Sequence, residues 1–278
     1  MKILLITDNQ FGMCDDNLSS KKLSKKAEQW SFPSNGMEKE KNNLRYFINY
    51  AKKENPDFVV HCGDIVNKIN NILPLNEYLD LIKNLNNIPI YHVPGNHDVG
   101  IDPNIASSLG LDFYRNNFGK DYYSIKKENT LFLFLNSSLF INYKKLQNEF
   151  DLQNIFLRET LIGLDAETNI IIFLHHPPYI EKNDLSENQT EYLLGDRPID
   201  YWIFPKEIID NFIAFLEPFK YKSIYSGHLH SNLITSYKGI KITVTSSLGL
   251  PLGDDNSGFR IIDINEKIIK DSFVEIPD

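Results

Sequence analysis

The apolar residues of this chain follow two periodicities. Residues 2–7 form a continuous apolar run closed by polar residues, which predicts a strand buried on both faces. Residues 58–61, 90–93 and 169–174 predict further buried strands on the same ground. Helical spacings lie between them. In residues 38–53, Leu44, Phe47, Ile48 and Ala51 share one face, and Asn55-Pro56 ends the helix because a residue before proline disfavours the helical region. Residues 75–85 and 150–164 read as further helices. Residues 205–215 read as one with Pro205 in its first turn, where a missing N–H does no harm. Residues 121–125 and 131–135 read as an antiparallel pair around 126–130. The last quarter changes character. Residues 223–225, 233–236, 240–245, 259–264 and 268–273 predict a meander of short strands, with Gly239 and Asn265 in two of its turns.

Alternating strands and helices followed by strands imply an α+β sandwich with helices on its outer faces. No linker rich in Gly, Ser or Pro divides the chain, so residues 1–278 are expected to form a single domain. The polar stretch 11–36, with Lys21, Lys22, Lys25 and Lys26, is long for a loop in a compact domain. It reads as either a functional flap or a partly disordered segment, and with the polar segment 183–200 it is expected to border a site.

Composition narrows the function classes. The chain is 42% hydrophobic and carries a net charge of −8, so a basic footprint for nucleic acid does not stand out and no stable nucleic-acid partner is expected. A phosphate-handling site in so acidic a protein must bring its own positive charge, which bound metal ions supply. Cys14 and Cys62 are too few and too far apart for a disulfide framework and read as free thiols in a reducing compartment. The apolar start meets Asp8 without the pattern of a signal peptide, and no apolar run approaches the roughly 20 residues of a membrane span. A cytoplasmic location and no membrane partner are expected.

The candidate chemistry sits where the strands end. Five of the seven histidines fall in three clusters directly after apolar runs: Gly95-Asn96-His97-Asp98, His175-His176-Pro177-Pro178 and Gly227-His228-Leu229-His230. Asp8-Asn9-Gln10 and Gly63-Asp64 have the same placement. Loops at strand ends converge at one edge of a sheet, where ligand sites favour. Carboxylates, amides and imidazoles together suit borderline divalent ions, and two such ions clamp a phosphoryl group and activate a water. Singly, each cluster has a plainer explanation: a Gly-Asp pair after a strand is ordinarily a turn, and Asp8 can serve as a cap. All five in this order do not reduce to caps and turns. His61 and His92, within or at the ends of strands, read as core or near-site residues, and Cys62 as a small buried residue. The chain shows no Cys-x5-Arg loop, no Gly-x-Gly-x-x-Gly and no P-loop.

From Asp8 to His230 this pattern resembles the signature of the calcineurin-like metallophosphoesterases. Gln10 in the place of the usual histidine, Cys62-Gly63-Asp64, Leu135-Asn136-Ser137 and Ser246-Ser247-Leu248-Gly249 are similar to a narrower group, the phosphatases of the calcineurin-like phosphoesterase domain-containing type. The resemblance implies a four-layer α/β/β/α sandwich and two divalent metal ions (Mn, Fe, Zn or Mg). It implies Asp8, Gln10, Asp64 and His230 around the first ion, and Asp64, Asn96, His176 and His228 around the second. It assigns His97 to protonating the leaving oxygen and Asp98 to orienting that loop. His175 and His176 are exchangeable in this reading, with His176 preferred. The implied activity is hydrolysis of a phosphorylated substrate, a phosphoprotein or a small phosphoester. A phosphodiester substrate and a binding module with a weak metal site remain alternatives.

Two departures bear on this. The neutral amide of Gln10 is a weaker ligand than imidazole and shifts preference toward Mn or Mg. The protein phosphatases of the calcineurin type carry Gly-Asp-x-x-Asp-Arg-Gly and Gly-Asn-His-Glu; the run Gly63-Asp64-Ile65-Val66-Asn67 lacks that phosphate-gripping arginine, which weighs against protein-phosphatase activity.

Overall fold

A computed structural model describes residues 1–13, 37–69, 71–102, 105–196, 198–265 and 268–277. Cys14 and most of the expected flap, including its four lysines, lie outside these residues. The strands are β1 (Lys2–Ile6), β2 (Phe58–Cys62), β3 (Ile90–Val93), β4 (Gly100–Asp102), β5 (Ile105–Ala106), β6 (Tyr123–Lys127), β7 (Thr130–Phe134), β8 (Asn169–Phe173), β9 (Lys222–Ser226), β10 (Leu233–Tyr237), β11 (Ile240–Val244), β12 (Gly258–Asn265) and β13 (Ile268–Glu275). The helices are α1 (Glu38–Glu54), α2 (Ile72–Ile82), α3 (Asn96–Val99), α4 (Ser108–Phe118), α5 (Ser137–Ile141), α6 (Gln147–Leu161), α7 (Glu187–Asp196) and α8 (Lys206–Ala214).

Two sheets carry the fold, in the orders β13-β12-β1-β2-β3 and β10-β11-β9-β8-β7-β6. The strands β1, β2 and β3 run parallel to one another, as do β7, β8, β9 and β11. Continuous apolar runs arise because both faces of these strands are covered. Ile3, Leu5, Phe58, Val60 and Cys62 face Phe132, Phe134, Ile171 and Phe173 of the other sheet. Their neighbours point the opposite way, as the two-residue period of a strand requires. Leu4, Ile6 and Val59 pack on Leu44, Phe47 and Ile48 of α1 and on Leu75 and Tyr78 of α2. Leu131, Leu133, Ile170 and Ile172 pack with Leu157 of α6 and Ile208 and Phe212 of α8. The layers are therefore α/β/β/α, the sandwich that the pattern implied.

The late strands do not form one meander. The strands β9, β10 and β11 complete the second sheet, with β11 parallel to β9. The pair β12 and β13 crosses to the first sheet, where β12 lies antiparallel to β1 with Lys2 opposite Asp263. A turn signal gives the end of a strand but not its partner, and Ile262 and Ile264 find their burial only in the space between the sheets. Helix α4 also escaped the sequence reading. It starts at Ser107, whose side chain accepts the Gly110 N–H at 3.0 Å. Among the described residues no helix is long and apolar enough to cross a membrane.

Candidate metal centre

The loops after β1, β2, β3, β8 and β9 meet at one edge of the sandwich. To bring their side chains together the backbone folds back sharply: Asp8, Gln10, Asp64, His228 and His230 have φ of 51°, 42°, 52°, 71° and 51°. For non-glycine residues such left-handed backbone costs roughly 1 kcal/mol or more each and persists where the surroundings impose it. Two glycines allow the loops to touch. A Cβ on Gly95 would lie 2.0 Å from Asp64 Oδ1, and one on Gly227 would lie 1.9 Å from Thr7 Oγ1.

Two groups of ligand atoms form there, Asp8, Asp64 and His230 in one and Asp64, His175 and His228 in the other, each with its atoms within 4.8 Å of one another. Asp64 is common to both. His230 Nε2 lies 3.3 Å from Asp8 Oδ1, and His175 Nε2 lies 3.2 Å from Asp64 Oδ2. All five residues are buried.

The rings are held in ligand posture. His175 Nδ1 is 2.8 Å from the Cys62 carbonyl and His230 Nδ1 is 2.6 Å from the Leu250 carbonyl. A carbonyl only accepts, so each Nδ1 carries hydrogen and each Nε2 is left to face the carboxylates. In His228 the roles are reversed: Nε2 donates to the Tyr201 carbonyl at 3.1 Å, which leaves Nδ1 free. Asp8 Oδ2 accepts from Thr7 Oγ1 at 2.7 Å and from the His228 N–H at 2.9 Å. Its Oδ1 accepts nothing. Gln10 Oε1, Asn96 Oδ1 and His175 Nε2 are likewise buried without a hydrogen-bond partner. Several unsatisfied polar atoms at one buried point cost about 1–3 kcal/mol each. Cations among them remove that cost, so the residues present fit divalent ions.

The two carboxylates concentrate negative charge at this point. Burial alone would lower the His175 pKa, but the Asp64 and Asp8 carboxylates push it up to about 9. Burial would raise Asp64, and His175 and His97 hold it below the usual carboxylate range instead. Burial, then the charge of Asp64, push Asp98 up to about 7 although its carboxylate accepts the N–H groups of Gly95, Ile65 and Val66. The bonds from Ile65 and Val66 tie the loop after β3 to the loop after β2, and the bond from Gly95 closes the loop after β3 on itself. His97 stands at the rim with Nδ1 on the Asn67 carbonyl at 2.8 Å and Nε2 4.0 Å from Asp64 Oδ2, while its backbone N–H donates to Asp64 Oδ1.

The calcineurin-like phosphoesterase family matches residues 1–232 of the 278. The chain belongs to that family. It is 27% identical over 225 residues to serine/threonine-protein phosphatase CPPED1 of Danio rerio, an alignment that covers 77% of this chain and 67% of that one. To the protein of the same name in Pongo abelii it is 30% identical over 222 residues, covering 77% and 66%. The chain thus spans about two thirds of the length of the curated relatives it matches. A dimetal phosphatase from Danio rerio superposes with a TM-score of 0.63 at 13% identity, over 99% of this chain and 97% of that one; at this identity the likeness is one of fold. Calcineurin-like phosphoesterases are hydrolases of phosphate esters that work with two divalent metal ions, and the two groups sharing Asp64 are where this chain can hold them.

Asp8, Gln10, Asp64, His97, Asp98, His228 and His230 are thus brought together by the fold, and Asn96 is buried beside His97 in the loop after β3. His176, the preferred histidine of its pair, is not placed with Asp64; His175 is. The chain bends at both histidines just past the end of β8 at Phe173, and there His175 turns its Nε2 to within 3.2 Å of Asp64. His176 instead sits against Ser137. Burial holds both His176 and His228 well below the usual histidine pKa.

The segment 183–200 does border the site, but as folded structure. Tyr192 of α7 donates its hydroxyl to the Leu229 carbonyl at 2.9 Å, and Gln189 donates to Ser231 Oγ at 2.6 Å. Tyr201 and Trp202 lie with ring centroids 5.2 Å from that of His228. Asp254 and Asp255 brace it: Asp254 accepts from Asn188 at 2.5 Å, and Asp255 accepts from Ser231 Oγ and from the Asn232 backbone at 3.0 Å. Ser247, from the late Ser-Ser-Leu-Gly run, donates to the Asp8 carbonyl at 2.6 Å. His61 and His92 belong to neither ligand group and stack at 6.1 Å beside Tyr78.

Proposed function

We propose that the protein is a metal-dependent phosphomonoesterase. Asp8, Gln10, Asp64 and His230 hold one ion in this reading, and Asp64, Asn96, His175 and His228 the other. The observation that carries it is the pair of ligand groups sharing Asp64, with buried acceptor atoms left unpartnered and His97 at the open side. Two divalent ions there, manganese among them, supply positive charge for the phosphoryl oxygens and acidify a water.

The chain's own residues do the rest. The Asn67 carbonyl accepts the Nδ1–H of His97 and so aims Nε2 at the site, where the ring protonated on both nitrogens can give its Nε2 proton to the leaving oxygen. Asp98 positions that histidine through the three N–H groups it accepts. The substrate is a phosphorylated protein or a small phosphoester. The name of the CPPED1 relatives supports a serine/threonine phosphoprotein. Against it, Asn67-Lys68 stand where the calcineurin-type protein phosphatases carry Asp-Arg. A single catalytic domain in the reducing cytoplasm accords with the buried free thiol of Cys62.

Metal content of the untagged protein, with turnover of p-nitrophenyl phosphate and bis(p-nitrophenyl) phosphate before and after chelation, tests this reading. The expected result is two ions per chain and chelator-sensitive turnover that is faster on the monoester. Faster turnover of the diester makes the protein a phosphodiesterase. Absence of both ions and turnover makes it a binding module.

A further inference from the structure

We propose that a lysine-lined groove next to the metal centre binds acidic residues that flank the phosphorylated residue of a protein substrate, a proposal that rests on the phosphoesterase reading above. The groove is a cavity of about 450 Å³ lined by the end of α5, the segment after it and the start of α8. Lys144 and Lys145 come from the first part and Lys206 from the second, with Asp200 and Glu207 among them. Three cations thus stand against two anions, in a chain whose net charge is −8. Glu207 is already engaged: it accepts the Tyr143 hydroxyl at 2.6 Å and lies 3.7 Å from Lys144 Nζ. Lys145 and Lys206 are exposed, and among the described residues neither makes an ion pair or a side-chain hydrogen bond. The two free ammonium groups are what a carboxylate ligand would meet.

The place of the groove makes that ligand part of a substrate. Asp200 precedes Tyr201, whose carbonyl accepts from His228 at 3.1 Å and whose ring centroid lies 5.2 Å from that of His228. Ile141, also in the lining, ends α5, about 6 Å of helix from Ser137, which is hydrogen-bonded to His176. Two parts of the lining therefore lead straight to the metal centre. An extended peptide spans about 3.3 Å per residue, so side chains a few positions from a phosphoserine at the ions reach the groove. A continuous row of phosphates suits it less, because Asp200 and Glu207 interrupt the positive surface. The groove also bears on the arginine that residues 63–67 lack: affinity not supplied at the phosphate is supplied by the residues around it.

The test measures kcat and KM of the full chain, loaded with manganese, on three substrates. These are p-nitrophenyl phosphate, a phosphoserine peptide with Asp and Glu on both sides, and the same peptide with Asn and Gln in their place. Wild type is expected to prefer the acidic peptide through KM, with similar kcat on both peptides. Exposed ion pairs are weak singly, so Lys145→Gln/Lys206→Gln is expected to raise KM for the acidic peptide about 3- to 30-fold, to the value for the neutral one. The wild-type preference should shrink with added salt. Turnover of p-nitrophenyl phosphate should be unchanged in the glutamine variant, which also reports that it is folded, and Lys145→Arg/Lys206→Arg should keep the preference. Equal KM for the two peptides in wild type overturns the proposal, as does a preference that survives in the glutamine variant. Turnover of p-nitrophenyl phosphate but of neither peptide overturns it as well. Binding to anionic lipid vesicles that the glutamine variant loses, without a peptide preference, makes the groove a membrane contact instead. Failure of the phosphoesterase reading looks different: wild type turns over none of the three substrates, and the proposal falls with it.

Discussion

Replacing Gly95 by alanine adds one methyl group at the point where the loops after β2 and β3 cross. Gly95 has φ −93°, so alanine meets no backbone strain and the effect is steric alone. The new Cβ would lie 2.0 Å from Asp64 Oδ1 and 2.2 Å from the Asp64 backbone nitrogen. An ordinary contact begins near 3.4 Å, so the two loops must separate by about 1.4 Å. Because one of the crowded atoms is backbone, a side-chain rotation cannot relieve the clash. Overpacking of this kind costs about 1–3 kcal/mol. The larger consequence is for the metals, since Asp64 belongs to both ligand groups and metal–ligand distances tolerate only about 0.2 Å. Gly95→Ala is therefore expected to lose most of its bound metal and to melt lower in chelator, by about 2–4 °C for each kcal/mol. The stabilisation that added metal gives wild type should be absent. Elemental analysis and melting curves with and without metal measure both effects. A Gly95→Ala protein that holds two ions and gains as much from metal as wild type would refute the shared-Asp64 geometry.

Three further perturbations separate the roles of other residues. His97→Ala should keep both ions and its melting temperature while kcat on p-nitrophenyl phosphate falls about 10²–10⁴-fold, because only the donor to the leaving oxygen is lost; a drop in metal content would make His97 a ligand instead. Tyr192→Phe removes the hydroxyl that donates to the Leu229 carbonyl between His228 and His230. It should cost about 0.5–1.5 kcal/mol and weaken metal binding, and an unchanged metal dissociation constant would show that α7 does not brace the loop. His61 is fully buried with neither ring nitrogen hydrogen-bonded, and burial holds its pKa well below 6.5. The unfolded chain therefore takes up a proton below pH 6.5 that the folded state refuses, and stability falls with pH in that window. His61→Leu removes this: relative to wild type it should gain about 1.4 kcal/mol per pH unit below 6.5 in urea unfolding, in chelator. A difference that does not change between pH 7.5 and 5.5 would sink the assignment. Burial also pushes His92 down to about 3, so the double variant should gain more steeply.

Much of this protein was legible along the chain. Continuous apolar runs marked the buried strands because both faces of each sheet are covered, and each polar cluster directly after a run marked a loop at the edge where sites form. Those are local signals, set by the two-residue period of a strand and the needs of its ends. The choice between His175 and His176 was not legible, because β8 ends at Phe173 and the bend beyond it sets which ring meets Asp64. Tertiary structure decided what depends on contact between distant segments. It sent β12 and β13 to the first sheet and β9 to β11 to the second, because partners are selected by the space between sheets and not by turns. It imposed left-handed backbone on Asp8, Gln10, Asp64, His228 and His230, which no residue preference announces, since only neighbouring loops hold such turns in place. And it placed a backbone carbonyl from another part of the chain behind the rings of His175, His228 and His230, which orients each ring and which only the folded chain brings together.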